Sequence, residues 1–306
     1  ARPSHAGDQP KARSHRPPLC RMASASGAAR LRRVAGHICP GPCAGASDAL
    51  VVVITGCTSG LGLALAQEYI RLGHRVAGCG RRADRVETLQ REHREHLFRV
   101  VDVTDGAAVA AFAEEVSARF GDVDVLVCNA GLGGKGAMPW DIPVDHLSAS
   151  VDTGLKGVMY TCKYFVPLML RGLKASGAGR AVKRVINFSS GIAHTSNPFT
   201  AEYCAVKYGV EGYSKCVAQA FQFNPAWKGR IICVPFSPGV VRTEMMTKPG
   251  YPTAEAWSKE AAPYLLAIGA ADNGSSMVLP GYYPERMVKT WTVPADAKMN
   301  SRFELP

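Results

Sequence analysis

The chain has no long hydrophobic run. No stretch of its 306 residues approaches the roughly 18 consecutive apolar residues that a membrane-spanning helix needs. The longest apolar runs, Leu50–Ile54 and Val166–Leu170, fit a core strand and part of a core helix. We therefore expect no transmembrane segment. The length suits one sizeable α/β domain with extra segments at its ends.

Paired cysteine motifs are missing as well. The ten cysteines are scattered and include no Cys-x-x-Cys pair, which argues against a zinc ribbon and against the disulfide framework of a small secreted fold. Several lie in apolar runs, where a free cysteine behaves as a small buried hydrophobe. The pattern predicts a reducing compartment and no metal site.

Acidic residues are scarce in the first 48 residues, which hold eight Lys/Arg against Asp8 and Asp48 and contain no Glu. Leaders that are rich in Arg and Ser and poor in acids are typical of organelle transit peptides. We interpret residues 1–48 either as such a leader, which would direct the protein to a chloroplast or mitochondrion, or as a disordered tail of a cytoplasmic protein. The rest of the chain carries 28 basic and 23 acidic residues. That modest excess suits a phosphorylated cofactor and does not indicate nucleic acid.

Strand-like and helical segments alternate from residue 49 onward. The predicted strands are Leu50–Thr55, Arg75–Gly80, Leu97–Val101, Val123–Cys128, Arg184–Ser189, Arg230–Phe236 and Ser276–Leu279. The predicted helices are Leu61–Leu72, Asp84–His96, Asp105–Phe120, Asp145–Lys174 and Ala201–Gln222. This alternation predicts an α/β fold, a Rossmann-like doubly wound parallel sheet with helices on both faces. We expect one domain over 49–281 and a tail, 282–306, that packs on the core or on a neighbouring subunit.

A glycine-rich turn joins the first predicted strand to the first helix, in Thr55-Gly56-Cys57-Thr58-Ser59-Gly60-Leu61-Gly62. Glycine allows positive φ and close backbone approach, and the amino end of a helix offers free N–H groups to a pyrophosphate. A simple tight loop is the alternative. The position between a buried strand and an amphipathic helix favours a dinucleotide site.

No acidic residue stands at the end of the second strand, where one would bind the ribose 2′-hydroxyl of NAD. Gly80 occupies that position in Cys79-Gly80-Arg81-Arg82. A guanidinium group matches a 2′-phosphate in geometry and charge, so we expect NADP(H), bound chiefly by Arg81. Arg82 is either a second contact or a solvated loop arginine.

Tyr203 and Lys207 are four residues apart on a predicted helix, 13 and 17 residues after Ser190. The spacing presents both side chains on one helix face. An unperturbed tyrosine has a pKa of about 10, and a nearby ammonium group lowers it toward the range of an acid–base catalyst. Ser190 ends a strand and could hydrogen-bond a substrate oxygen. The alternatives are an ordinary helix-surface pair and a turn hydroxyl, with Ser189 in place of Ser190.

These motifs, together with Asn129-Ala130-Gly131 after the fourth strand, resemble in their order the short-chain dehydrogenase/reductase (SDR) family from about Leu50 to about Gly281. The resemblance implies catalysis by Ser190, Tyr203 and Lys207, with Lys207 also binding the nicotinamide ribose. It implies adenine binding by Asp102 and carboxamide binding by the loop after the sixth strand. The implied cofactor contacts are Thr55, Gly56, Ser59, Gly60, Leu61, Gly62, Arg81, Arg82, Asp102, Val103, Asn129, Ala130, Gly131, Tyr203, Lys207, Pro238, Gly239, Val241 and Thr243. It also implies a homo-oligomer, dimer or tetramer.

One position departs from the family pattern. Gly154 stands where members commonly carry an Asn that holds a water linking the lysine to solvent. Glycine lacks the side-chain amide, which puts the proton relay in question. A glycine could still allow a helix bulge.

Substrate contacts are expected from Ile192–Pro198, Gly133–Trp140 and a lid over Glu244–Ala271. The lid contains Met245, Met246, Tyr251 and Trp257, which suit a hydrophobic carbonyl compound or equally ordinary packing. His194 fits a surface-loop histidine better than a substrate contact.

The expected function is an NADP(H)-dependent oxidoreductase of the carbonyl reductase or alcohol dehydrogenase type, acting on a small carbonyl or alcohol substrate. The alternative from another class is an NADP(H)-binding regulatory or scaffold protein with little catalysis, which Gly154 alone supports. A sugar-nucleotide epimerase or dehydratase shares the Tyr-x-x-x-Lys spacing. Few residues follow the sixth strand for the larger substrate domain that such an enzyme needs.

Overall fold

The computed structural model describes residues 49–175, 182–247 and 249–279. The predicted leader (1–48) and tail (282–306) lie outside these residues and stay predictions. Among the described residues, none of the helices combines the length and the apolarity that a membrane span requires.

The described strands form one fully parallel sheet in the order β3-β2-β1-β4-β5-β6-β7. They are β1 (Val51–Thr55), β2 (Arg75–Gly80), β3 (Leu97–Val100), β4 (Val125–Cys128), β5 (Lys183–Phe188), β6 (Ile231–Ser237) and β7 (Met277–Val278). Strand order reverses between β1 and β4, which creates the crevice at the carboxyl ends of the strands where open α/β sheets bind ligands. The predicted doubly wound fold is confirmed.

Helices cover both faces of the sheet. They are α1 (Gly60–Arg71), α2 (Ala83–Glu92), α3 (Gly106–Phe120), α4 (Val144–Val151), α5 (Gly157–Ala175), α6 (Ala201–Phe223) and α7 (Ala254–Ala267). The single long helix predicted over Asp145–Lys174 is divided, because the π-helical turn Asp152–Lys156 joins α4 to α5. Short 3₁₀ turns follow β5 at Gly191–His194 and precede α6 at Pro198–Thr200.

Two apolar layers hold the helices on the sheet. On one face, Phe112 of α3 meets Phe165 of α5 edge to face, with ring centroids 5.7 Å apart. On the other, Trp257 of α7 packs on Phe188 and Phe236 of the central strands. Because both faces of the sheet are covered, the strands read as continuous apolar runs.

The predicted lid over Glu244–Ala271 is wrong for half of its length. Residues 254–267 form α7, which packs against α1, and Trp257 is fully buried with its Nε1 donating to the carbonyl of Pro238 at 2.9 Å. Thr253 caps this helix by accepting a hydrogen bond from the amide of Ala256. A 14-residue helix with a buried aromatic anchor is core, so only the residues before it can cover a substrate.

Candidate active site

The glycine turn between β1 and α1 has the backbone shape that a dinucleotide requires. Gly56 and Gly60 adopt φ of 70° and 55°, and a residue with a Cβ adopts such angles only with strain. A Cβ at Gly62 would collide with the carbonyl of Gly56 and the side-chain amide of Asn129. Helix α1 begins directly at Gly60 with Ser59 as its N-cap, so its free N–H groups face the turn, as a pyrophosphate needs.

Asn129 ties the glycine turn to the centre of the sheet. Its Nδ2 donates to the carbonyls of Thr55 and Gly56 at 3.0 and 3.1 Å. The hydroxyl of Thr55 in turn accepts from the backbone amides of Asn129 and Ala130 at 3.1 and 3.2 Å. These contacts fix the ends of β1 and β4 at the crevice.

Arg81 and Arg82, which follow β2, extend their side chains in different directions. Arg81 points toward Asp102, with Nη1 3.9 Å from its Oδ2. Arg82 instead lies over the glycine turn, where its Nη2 donates to the hydroxyl of Thr58 at 3.3 Å and contacts the hydroxyl of Ser59. Arg82 is therefore held at the glycine turn, with 42% of its side chain exposed. Asp102 is itself engaged in a turn, since its Oδ1 accepts from the amide of Thr104 at 2.9 Å.

The predicted catalytic residues meet at the carboxyl ends of β4 and β5. Ser190 follows β5 and hydrogen-bonds with the half-buried Tyr203 on α6. One helical turn later, the buried Lys207 places its Nζ 5.5 Å from the Tyr203 ring centroid. The same Nζ donates to the carbonyl of Phe188 at 2.7 Å. A Cβ on Gly131 would lie 3.8 Å from it, so the Asn129–Gly131 segment borders the same spot.

Burial controls the titration of this pair in the structure. It raises the pKa of Tyr203, while the hydrogen bond with Ser190 opposes the rise. Burial also lowers the pKa of Lys207 to about 8. The sequence argument expected Lys207 to lower the tyrosine pKa. The structure differs because the ammonium group faces the ring and the Phe188 carbonyl, and the apolar surroundings disfavour both charged forms.

Gly154 lies in the π-helical turn and is buried against α6. A Cβ at this position would approach Cγ1 of Val206 to 2.6 Å. The bulge that the sequence argument allowed for glycine is present. At the position where the family commonly has Asn, the π-helical turn therefore packs closely against α6.

The loop after β6 returns over the glycine turn. Gly239 adopts φ of 86° and Val241 is buried, which brings Thr243 against Gly60, with its Cβ 3.5 Å from where a Gly60 Cβ would be. Thr243 and Met246 exchange backbone hydrogen bonds and close a small turn. The contacts of Thr243 and Pro238 to a cofactor stay a prediction.

Sequence reasoning missed two buried carboxylates on α6, one on each side of the catalytic pair. Glu202 accepts from the amide of Lys135 at 2.7 Å and lies 3.3 Å from His146 Nε2. Glu211 lies 3.3 Å from His194 Nε2. The prediction of a surface-loop histidine at His194 is wrong, because this side chain is only 17% exposed and paired.

The Glu211–His194 pair also lies beside Ser189, which follows β5 and precedes Ser190. Hydrogen bonds from His194, Ser189 and Ser276 hold the pKa of Glu211 below its ordinary value although burial opposes this. Ser189 thus lies beside Glu211, and Ser190 is the hydroxyl beside Tyr203. Spacing offered one signal, since Glu211 follows Lys207 by four residues, but its partners are distant in sequence.

Comparison with known proteins agrees with this geometry. The model of the short chain dehydrogenase family matches residues 50–251. The chain belongs to the short-chain dehydrogenase family. It is 33% identical over 251 residues to an NADPH-dependent pterin aldehyde reductase of Arabidopsis thaliana, covering 78% of this chain and 98% of the relative.

A second relative, a 2-dehydro-3-deoxy-L-rhamnonate dehydrogenase (NAD(+)) of a Sphingomonas species, is 35% identical over 55% of this chain and 64% of its own length. Among solved structures, the ligand-free aldohexose dehydrogenase of Thermoplasma acidophilum superposes with a TM-score of 0.61 at 19% identity, over 78% of this chain and 98% of that chain. The structural likeness confirms the fold. The family membership makes the protein an oxidoreductase that uses a nicotinamide cofactor.

Proposed function

We propose that this short-chain dehydrogenase is NADP(H)-dependent and interconverts a carbonyl compound and its alcohol. The observation that carries the proposal is the convergence of Ser190, Tyr203 and Lys207 beside a glycine turn shaped for a dinucleotide. When bound, the nicotinamide supplies or accepts the hydride. The remaining work falls to the side chains of this chain.

Each of the three side chains has one task in reduction. The Ser190 hydroxyl donates to the substrate oxygen and holds it at the crevice. Tyr203 transfers its phenolic proton to that oxygen as negative charge develops there. Because burial raises the pKa of Tyr203, the residue is protonated near neutral pH, which is the form that a reductase uses. Lys207 lies one turn away and would bind the nicotinamide ribose, as the family resemblance implies.

The choice of NADP(H) rests on the end of β2. Gly80 offers no carboxylate to a ribose hydroxyl, and a Cβ there would lie 2.5 Å from Thr58 Cγ2. Arg82 and the hydroxyls of Thr58 and Ser59 form a donor set for a phosphate at the glycine turn. We assign the 2′-phosphate chiefly to Arg82 and place Arg81 beside the adenine with Asp102. The NADPH dependence in the name of the Arabidopsis relative supports this choice.

Two exposed apolar side chains, one in the turn before α6 and one in the turn after β6, suit a flat or hydrophobic carbonyl compound. Phe199 and Met245 are 54% and 60% exposed, and Met245 lies against Gly133 in the loop after β4. The name of the Arabidopsis relative makes a pterin aldehyde the first substrate to test. Other aromatic aldehydes, ketones and quinones complete the panel.

The test is oxidation of NADPH, and of NADH in parallel, by the full chain across this panel. The proposal expects turnover of at least one aromatic carbonyl with a clear preference for NADPH. Turnover with NADH alone would contradict the cofactor assignment. Tight NADPH binding without turnover of any panel member would favour the non-catalytic alternative.

A further inference from the structure

Glu244 connects the turn after β6 to the nucleotide side of the sheet. One carboxylate oxygen lies 3.0 Å from Nη1 of Arg82, and the other lies 2.6 Å from Nη1 of Arg85. Each oxygen therefore has its own guanidinium group. These two hydrogen bonds hold the pKa of Glu244 below its ordinary value, so the carboxylate is charged at neutral pH.

The two arginines also face the glycine turn. Arg85 Nη1 donates to the carbonyl of Thr58 at 3.2 Å, and Arg82 reaches the hydroxyls of Thr58 and Ser59. The two guanidinium groups thus contact both the glycine turn and the Glu244 carboxylate, which fills the place of an anion between them. A phosphate dianion is the ligand that such a set of donors prefers.

Glu244 belongs to the 243–246 turn, which also borders the substrate side. Its neighbour Thr243 lies against Gly60 in the glycine turn, and Met245 lies against Gly133 in the loop after β4. The Glu244 ion pairs therefore hold a segment that contacts both halves of the crevice.

We propose that Glu244 is an internal anion in the 2′-phosphate subsite, that Arg85 is the second guanidinium of this subsite, and that the 2′-phosphate of NADP(H) displaces Glu244 and frees the 243–246 turn. The proposal rests on the NADP(H) assignment above. A carboxylate and a phosphate dianion repel each other on one pair of arginines, so Glu244 weakens NADP(H) binding. NAD(H) has no such phosphate and leaves the ion pairs intact. Binding of the cofactor phosphate thereby increases the mobility of the 243–246 turn, which borders the substrate side.

The test uses two probes that differ only in the phosphate, adenosine 2′,5′-bisphosphate and 5′-AMP, titrated calorimetrically into the full chain. Glu244→Gln is expected to bind the bisphosphate roughly 1.5- to fivefold more tightly, the range of one exposed ion pair, and to bind 5′-AMP as wild type does. Arg85→Ala is expected to weaken the bisphosphate by a similar factor. Glu255→Gln is the matched control, because Glu255 is an exposed acid on α7 that pairs with Lys259 of the same helix.

Hydrogen exchange of residues 243–247 supplies a readout that does not depend on activity. The bisphosphate is expected to raise exchange there, and 5′-AMP is not. If wild type prefers the bisphosphate but Glu244→Gln changes neither affinity nor exchange, the internal-anion proposal is overturned while the NADP(H) assignment stands. If wild type binds the two probes equally, the NADP(H) assignment itself fails and this proposal fails with it.

Discussion

Gly80 and Thr58 face each other so closely that a Cβ at Gly80 would lie 2.5 Å from Thr58 Cγ2 and 3.3 Å from Thr58 Cβ. Close packing against Thr58 therefore requires glycine at the end of β2, where an acidic residue would bind the ribose of NAD. Any side chain that binds a ribose hydroxyl from this position must first displace Thr58.

Gly80→Asp is expected to lower the free energy of unfolding by about 1–3 kcal/mol, the usual cost of overpacking. The variant should not acquire a preference for NADH, because its carboxylate cannot settle at the crevice. Denaturant unfolding measures the stability. Adding Thr58→Ala leaves only the Cβ at 3.3 Å and should restore most of the loss. A fully stable single variant would refute the packing argument.

Alanine at Gly154 and alanine at Gly212 should have opposite effects. A Cβ at Gly154 meets Val206 Cγ1 at 2.6 Å, whereas a Cβ at Gly212 of α6 meets nothing within 4 Å. We expect Gly154→Ala to destabilise by about 1–3 kcal/mol and Gly212→Ala to stabilise by about 0.5–1 kcal/mol through helix propensity. Equal effects in thermal unfolding would show that the π-helical turn tolerates a side chain. In that case Gly154 could also be replaced by Asn, the residue that the family commonly carries there.

Lys207→Met should reveal the cost of burying the lysine. The folded-state pKa of Lys207 is lowered from 10.5 to about 8, so between these values the unfolded chain binds a proton that the folded chain does not. Wild-type stability from this group therefore falls as pH drops from about 10.5 to 8 and is constant below. As pH drops through this window, the stability of the Met variant relative to wild type should rise. A difference that does not change with pH would mean that Lys207 titrates normally.

Glu211→Gln should weaken the turn that presents Ser190. The amide cannot replace a carboxylate that accepts from His194, Ser189 and Ser276. We expect kcat to fall about tenfold, as for a misplaced catalytic group, with NADPH affinity unchanged. Because the folded pKa of Glu211 is lowered, its contribution to stability is present above the ordinary carboxyl pKa of 4.5. The stability difference from wild type should therefore shrink as pH falls below that value. A variant with wild-type kcat would show that the pair is dispensable for catalysis.

The sequence was sufficient to predict the sheet, because strands such as β1 and β6 are buried on both faces and appear as uninterrupted apolar runs. The glycine turn and the Tyr203–Lys207 pair were predictable because their function depends on local spacing. The orientation of Arg81 and Arg82 was not, since neighbouring residues at a strand end diverge. The ion pairs of Glu211 with His194 and of Glu244 with Arg82 and Arg85 join residues far apart in the chain, so sequence spacing does not identify the partners.

The most direct test of the account is hydride transfer by Tyr203→Phe. The matched control is Tyr160→Phe, which removes the same hydroxyl from a half-buried tyrosine on α5 that packs over Gly106 of α3. With the best carbonyl substrate of wild type, we expect Tyr203→Phe to lose at least 100-fold in kcat, the scale of general acid catalysis, while binding NADPH normally. Tyr160→Phe should retain wild-type kcat. If Tyr203→Phe reduced the substrate at a rate near that of wild type, Tyr203 would not be the proton donor and the central claim would be wrong.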